Sequence, residues 1–226
     1  MTSVEASSRA EARREAAPAA LLLLLVFVVL AVVSRSQGWA LMGFPWWTWL
    51  ILAIPALLLL VDLQLGRRGQ GLVRSRRAAL ALLFLLVGGN IAGLGILVAG
   101  LATTGTSDLG GGELLVTGFA IYAADLIVFG LIFWELDAGG PLSRRLDASR
   151  QVLDFRFPQD EEHAAARWSP QVWDYVYVSL TNAIAFSPTD TMPLSLRAKA
   201  AMGLEAALSA TVVLLVAARA VNVLGS

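Results

Sequence analysis

The sequence predicts an all-α integral membrane protein, with about five transmembrane helices and a re-entrant or interfacial half-helix before the last of them. Hydrophobic residues make up 57% of the 226 residues and the mean hydropathy is +0.70, which is too apolar for an ordinary soluble domain. The apolar residues are gathered in stretches of about 20, the length at which a helix crosses a bilayer. The basic residues are concentrated in particular loops, as in proteins with a fixed membrane orientation.

The first element of the membrane region follows a charged N-terminal stretch. Residues 1–17 mix charged side chains with Ala and Ser and predict a cytoplasmic N-terminal tail, either a short solvated helix or a frayed segment. The run LLLLLVFVVLAVV, from Pro18 to about Ser34, predicts the first span. A signal peptide is the alternative for such a short run. The acidic residues ahead of it and Arg35 behind it favour a retained anchor.

Three further spans complete the four-span membrane region 18–134. The second is predicted from Pro45 to Leu65, the third from Ala78 to Ala102 and the fourth from Glu113 to Trp134. Aromatic rings cluster before the second span, where they are expected to anchor the chain at the level of the lipid headgroups. These residues are Trp39, Phe44, Trp46, Trp47 and Trp49.

The remainder of the chain is less regular. Residues 135–170 form a hydrophilic cytoplasmic segment that opens with WELDAGGP, a pattern typical of a helix end. Segment 171–187 is too short and too polar to span the bilayer, and it predicts a re-entrant or interfacial half-helix. The last span is predicted from about Leu194 to Asn222, so residues 171–226 form one pore-like unit.

The distribution of basic residues predicts the orientation. With a cytoplasmic N-terminus, fifteen of the 17 basic residues lie on the cytoplasmic side, and only Arg35 and Arg219 lie outside. This excess follows the positive-inside rule of multi-pass proteins. We therefore expect a multi-pass protein of the bacterial inner (plasma) membrane, with the N-terminus inside and the C-terminus outside.

Three polar residues fall near the middle of the predicted spans, namely Asn90, Asp125 and Glu205. A charge at the bilayer centre costs about 3 kcal/mol or more, so such residues often mark an ion or proton path. The alternative is that Asp125 is neutral and bonds Asn90 or Tyr122 as a link between helices. The sequence leaves both interpretations open.

Small residues in the third span predict close helix packing. Gly89 and Gly93 form a G-x-x-x-G pattern, which lets helix backbones approach each other in a membrane. Because these glycines lie inside a hydrophobic helix, they do not predict a nucleotide-binding loop.

The run from Ser179 to Lys199 contains the densest group of short polar side chains, interrupted by Pro188 and Pro193. Prolines break a helix, and irregular backbone at membrane depth is tolerated only where it is buried or lines water. The run is therefore either a cavity lining or a turn at the cytoplasmic surface. The pore or ion-path candidates are Thr181, Asn182, Ser187, Pro188, Thr189, Asp190, Glu205, Asp125 and Asn90.

This run resembles the pore domain of the potassium-channel superfamily over the last quarter of the chain. The matching positions after the filter and early in the inner helix are Asp190, Pro193, Ser195, Ala198 and Lys199, and 172–184 takes the place of the pore helix. The selectivity filter of that superfamily contains glycines, whereas residues 185–189 at the corresponding positions contain none. Potassium selectivity is therefore not implied. WELDAGGP and AFSPTDTMPL also resemble a bacterial multi-span membrane family without an established activity.

Two functional hypotheses follow from these features. The first is an oligomeric channel or pore, a trimer or tetramer, for inorganic cations, with Glu205 facing its cavity. The second is a non-conducting scaffold or accessory subunit of a membrane complex. The sequence contains no cysteine and no catalytic or metal-binding spacing. We therefore expect no enzyme activity, no cofactor, no metal site and no nucleic-acid partner. The lipid bilayer is the expected surrounding medium.

Overall fold

The computed structural model describes residues 3–41, 44–65, 76–104, 111–146, 153–160, 168–185 and 190–224, and in these ranges the chain is mostly helical. The helices are α1 (Ser3–Gln37), α2 (Trp46–Leu65), α3 (Arg76–Thr104), α4 (Gly111–Leu136), α5 (Pro141–Leu146), α6 (Val172–Ala185) and α7 (Leu196–Leu224). Two short strands, β1 (Phe155–Arg156) and β2 (Met192–Pro193), and 3₁₀ turns at Asp137–Gly139 and Pro158–Asp160 complete the described elements.

Among the described residues, four helices are long and apolar enough to cross a membrane. The apolar stretches are Arg14–Gln37, Arg77–Gly95, Leu115–Gly139 and Leu196–Ala218. The described apolar part of α2, Trp46–Val61, is shorter. A mostly helical fold with four candidate spans in the described residues is therefore confirmed, whereas insertion in a membrane and the count of five spans stay predictions.

The outer faces of these helices are apolar. On α1, Val29 and Val32 are more than half exposed, and Phe119 on α4 is 75% exposed. Leaving such large apolar surfaces in water is unfavourable. The exposed faces are therefore suited to contact with lipid, as the composition of the spans predicts.

Helix α4 lies at the centre of the bundle, where it contacts α1, α3, α6 and α7, while α2 packs against α1 and α3. Arg145 of α5, just beyond the C-terminal end of α4, pairs with Glu11 and Glu15 of α1. At the other end, Trp39 lies beside Gly112. Helices α1 and α4 are therefore antiparallel, an arrangement that fits the alternating crossings predicted from the sequence.

The region expected to be an N-terminal tail is part of a helix over its described residues. α1 continues from Ser3 through Pro18 to Gln37 without a break. Ala12 and Ala16 are buried within the bundle. This part of α1 therefore packs onto the bundle around Ala12 and Ala16, whose small side chains allow a close approach, and Arg145 pairs with the nearby carboxylates of Glu11 and Glu15.

The hydrophilic segment folds back onto the bundle. Strand β1 pairs with β2 in an antiparallel manner, with Phe155 opposite Pro193 and Arg156 opposite Met192. Phe155 is buried and its ring lies 5.2 Å from that of Phe133 at the end of α4. The segment after α5 is thereby attached both to α4 and to the chain that leads into α7.

Among the described glycines, three mark close contacts between helices. A Cβ at Gly89 would lie 2.9 Å from Leu52 Cδ2 of α2, and Gly93 on the same helix is buried. A Cβ at Gly118 would lie 2.6 Å from Val216 Cγ2 of α7. The tightest contact with backbone is at Gly130 of α4, where a Cβ would lie 2.8 Å from Val176 Cα of α6.

Candidate functional site

Helix α6 runs antiparallel to the second half of α4. Val176 packs against Gly130, and the Ser179 hydroxyl lies 2.9 Å from the Leu126 carbonyl oxygen. Tyr175, near the start of α6, reaches back to Asp137 beyond the end of α4. α6 therefore extends from the C-terminal end of α4 towards its middle, as expected of a helix too short to span.

The chain after α6 returns to the end of the bundle where α6 began. The Leu194 N–H donates to the Asp154 carbonyl at 2.8 Å, and Asp154 is bonded to residues at the end of α4. α7 then starts at this same end and passes along α4 to Gly118. α6 and α7 thus both begin at one end of the bundle, and residues 186–189 between them lie outside the described residues.

The end of the bundle where these segments meet is organised by Asp137, whose side chain is buried. Its Oδ1 accepts hydrogen bonds from the Asp154 and Phe155 N–H groups at 2.8 and 3.1 Å, and its Oδ2 accepts one from the Tyr175 hydroxyl at 2.6 Å. Arg144 Nη1 lies 3.9 Å from Oδ2 and donates to the Asp137 carbonyl at 2.7 Å. One carboxylate therefore joins α4, α5, α6 and the β1 segment.

The predicted helix end at WELDAGGP is confirmed, because α4 ends at Leu136. The turn that follows is left-handed at Ala138, Gly139 and Gly140, with φ of 49°, 82° and 100°. A left-handed conformation is costly for alanine. It is supported here by the Ala138 N–H, which donates to Asp154 Oδ2 at 3.1 Å.

Asp154 holds the start of α7 in place. Its buried carboxylate accepts hydrogen bonds from the Ser195 hydroxyl and from Arg197, whose Nε lies 2.6 Å from Oδ1. Burial by itself raises the pKa of Asp154, but the hydrogen bonds from Arg197 and Ser195 outweigh it and leave the pKa below its ordinary value. Asp154 is therefore expected to stay ionised at neutral pH.

This lowered pKa predicts a pH-dependent contribution to stability. The stabilisation is complete above the unfolded-state pKa, about 4, and is lost as the pH falls through the lower folded-state value. We expect Asp154→Asn to lower the free energy of unfolding by about 1–3 kcal/mol at pH 7, and by less below about pH 4. Thermal unfolding in detergent across this pH range measures the difference. Arg197→Gln should also weaken the pH dependence of stability. A stability difference between the wild type and Asp154→Asn that stays constant down to pH 3 would contradict the lowered pKa of Asp154.

Two carboxyl groups lie near the middle of the bundle, and the first is Glu205 of α7. Its side chain is fully buried between α4, α6 and α7. Ser179 hydrogen bonds to its Oε1, and the Asn182 amide donates to its Oε2 at 2.6 Å and to the Met202 carbonyl at 2.9 Å. The sequence analysis expects Glu205 to face the cavity of a pore. In the structure its side chain is buried within one chain, where Ser179 and Asn182 of α6 are its hydrogen-bond partners.

The second carboxyl group is Asp125 of α4. The Asn90 amide of α3 donates to its Oδ1 at 2.6 Å, and both side chains are buried. This contact is the link between α3 and α4 considered in the sequence analysis. Asp125 and Tyr122 are also close enough to Glu205 to interact with it electrostatically. Five buried polar side chains from α3, α4, α6 and α7 are here called the carboxyl cluster: Asn90, Asp125, Ser179, Asn182 and Glu205.

The other sequence candidates have different positions. Thr181 is half-buried and its hydroxyl donates to the Val178 carbonyl of its own helix at 3.0 Å. Asp190 is exposed. Ser187, Pro188 and Thr189 lie outside the described residues. Only Asn90, Asp125, Asn182 and Glu205 are thus brought together in the described structure.

Ser179 and the residues around Asp137 were not selected from the sequence. Ser179 lies three residues before Asn182 and therefore on the same helix face, which is the signal that could have identified it. For Asp137 the corresponding signal was the acidic residue in the WELDAGGP turn. Its partners, Tyr175 and the backbone of Asp154, are distant in sequence and could not be assigned from it.

A groove of about 520 Å³ lies between α1 and the first half of α4. Its lining contains no polar side chain that could bind a cation, so the carboxyl cluster is the stronger candidate for an ion site. The lining residues are Leu22, Leu25, Val26, Val29, Leu30, Leu115, Val116, Phe119, Ala120, Ala123 and Ile127.

Comparison with protein-family models, curated proteins and solved structures found no match to this chain. The resemblances of the C-terminal run therefore stay predictions.

Proposed function

We propose that the protein conducts cations across the bacterial inner membrane and that the ion path passes through the carboxyl cluster inside each subunit. The observation that supports this is the pair Asp125 and Glu205, near the middle of the spans Leu115–Gly139 and Leu196–Ala218. Their described partners are neutral amide and hydroxyl groups. A buried charge without a counter-charge costs several kcal/mol, so carboxyl groups in this setting hold a cation or a proton.

The position of α6 adds to this proposal. α6 ends at Ala185, three residues after Asn182, which bonds Glu205. The C-terminal end of a helix carries a partial negative charge, and short helices that end at the midplane form ion sites in many transporters. The end of α6 therefore favours a cation at the cluster. In this proposal residues 172–195 re-enter the membrane from the cytoplasmic side.

The proposed topology keeps five spans with a cytoplasmic N-terminus. At the end of the bundle where α1 and α7 begin and α4 ends lie Arg144 and Arg145 of α5 and Arg197 of α7. By the positive-inside rule this end faces the cytoplasm. Assembly into a trimer or tetramer remains part of the proposal, and each subunit would then carry its own path.

A non-conducting scaffold is the second candidate. Two observations favour it: the direct Asn90–Asp125 contact and the two partners of Glu205. Hydrogen-bonded polar groups of this kind can link helices without taking part in transport. In that case the polar cluster specifies how α3, α4, α6 and α7 assemble.

Ion flux into liposomes that contain the purified protein separates these functions. We expect flux of at least one of H⁺, Na⁺ and K⁺ above that of empty vesicles. Glu205→Gln and Asp125→Asn should each lower it by about tenfold or more, the effect of roughly 1.4 kcal/mol on a barrier. Glu11→Gln is the control, because this exposed carboxylate pairs with Arg145 at the end of the bundle and such pairs contribute little stability. Folded protein without flux of any of the three ions would contradict conduction and favour the scaffold.

A further inference from the structure

We infer that the ion moved through the carboxyl cluster is the proton and that Glu205 carries it as a neutral carboxylic acid, an inference that rests on the proposed function. The starting point is the Ser179 hydroxyl. Its oxygen lies 2.9 Å from the Leu126 carbonyl oxygen and is also hydrogen-bonded to Glu205 Oε1. A serine hydroxyl has one hydrogen to donate but can accept further hydrogen bonds.

Counting hydrogens at Ser179 assigns a proton to Glu205. The Leu126 carbonyl oxygen has no hydrogen to donate, so its hydrogen bond with Ser179 uses the one hydrogen of the Ser179 hydroxyl. The contact between Ser179 and Glu205 then needs a hydrogen from Glu205 Oε1, which only the protonated acid can supply. Glu205 is therefore the donor to Ser179, and Ser179 is the donor to Leu126.

The second oxygen of Glu205 fits the same assignment. The Asn182 amide has two hydrogens, and its nitrogen contacts Glu205 Oε2 at 2.6 Å and the Met202 carbonyl at 2.9 Å. Oε2 is thus an acceptor, as expected of the carbonyl oxygen of a carboxylic acid. Every hydrogen in the group then has a definite acceptor.

The same side chains can also hold the ionised form. When Oε1 gives its proton to a water molecule, the acid becomes a carboxylate and the water becomes hydronium. The Ser179 hydrogen can then turn from Leu126 to Glu205. Asn182 continues to donate to Oε2. Both charge states are therefore hydrogen-bonded without movement of a helix, which is what reversible proton uptake at a buried group requires.

The charged and titratable groups around Glu205 also favour a proton carrier. Asp125 and Tyr122 of α4 interact with it electrostatically, and the neutral Ser179 and Asn182 of α6 form hydrogen bonds with it. Two nearby carboxyl groups do not ionise together readily, so a proton is retained on one of them. The partners of Glu205 from α6 are a hydroxyl and an amide, which can hydrogen-bond to the protonated acid as well as to the carboxylate.

The test uses the full-length protein in liposomes with an internal pH-sensitive dye, and H⁺, Na⁺ and K⁺ are examined separately. We expect proton flux, and a loss of about tenfold or more in Glu205→Gln, whose amide reproduces the donor and acceptor of the neutral acid and so preserves the fold. Ser179→Ala should also lower proton flux. Ser209→Ala is its control, because that buried α7 hydroxyl has no hydrogen-bond partner among the described residues.

Infrared spectroscopy of the same samples provides an independent readout of the proton itself. We expect the wild type to show a carboxylic-acid C=O band that Glu205→Gln lacks. Flux of Na⁺ or K⁺ without proton flux, or a band that persists unchanged in Glu205→Gln, would overturn the inference and leave cation conduction standing. No flux of any ion would overturn both.

Discussion

Replacing Gly130 with alanine is expected to lower the free energy of unfolding by about 1–3 kcal/mol, the usual cost of adding a methyl group to a filled contact. The added Cβ would lie 2.8 Å from Val176 Cα and 3.1 Å from Val176 N. Backbone atoms cannot rotate away as the tip of a side chain can, so α6 has to move away from α4. The displacement would also separate Ser179 from Leu126, and ion flux should fall together with stability.

Thermal unfolding in detergent measures this effect, with Gly95→Ala as the matched control. A Cβ at Gly95 of α3 would have no neighbour within 4 Å. That variant is expected to be unchanged or more stable by up to about 1 kcal/mol, because alanine favours a helix over glycine. Equal stability of the two alanine variants would show that α4 and α6 do not approach each other in this way.

Replacing Asp137 with alanine is expected to cost about 3–5 kcal/mol, the range found when one partner of a buried charged pair is removed. The change leaves the Asp154 and Phe155 N–H groups and the Tyr175 hydroxyl without their acceptor. It also removes the nearest carboxylate from Arg144, which is only 9% exposed. Asp137→Asn should be less damaging, because it keeps one acceptor oxygen.

The control for this prediction is Asp174→Ala on α6. Asp174 accepts one hydrogen bond, from the Gln171 N–H at 2.7 Å, at the start of the helix. Loss of a bond of this kind costs about 1 kcal/mol. Thermal unfolding should therefore rank Asp137→Ala well below Asp174→Ala in stability. The opposite order would mean that Asp137 does not hold the end of α4 to α6 and β1.

The positions of the long helices were largely predictable from the sequence. α2, α3, α4 and α7 begin and end within a few residues of the ranges expected, because the length of an apolar run and the polar turns beside it are local properties. The short helix was predictable for the same reason, since Val172–Ala185 lacks the length to span. α1 differs, because the charged residues before Pro18 continue the helix once Arg145 is available as a partner.

The carboxyl cluster was predictable only in part. Asn90, Asp125 and Glu205 were identifiable by their depth in the spans, since a polar side chain in an apolar run is conspicuous in any sequence. Their actual contacts depend on which helix faces meet, and this is decided by packing between residues far apart in the chain. Thr181 and Ser179 have similar chemistry, but only Ser179 lies on the face that meets Glu205.

Glycine contacts between helices were also predictable from the sequence only in part. Gly89 was expected at a helix contact from its pairing with Gly93, and it lies against Leu52. Gly130 has no such partner in the sequence, yet it makes the closest backbone contact among the glycines described. A single glycine in a span becomes informative only when the neighbouring helix is known.

The location of the ion path inside each subunit is tested most directly by mixing wild-type and Glu205→Gln protein in known ratios before reconstitution. If every subunit carries its own path, flux should fall in direct proportion to the fraction of Glu205→Gln protein. A pore shared around a symmetry axis would lose flux more steeply, because one altered subunit would impair the whole assembly. A proportional decrease is the result expected here, and a steeper one would contradict a path through the carboxyl cluster of a single chain.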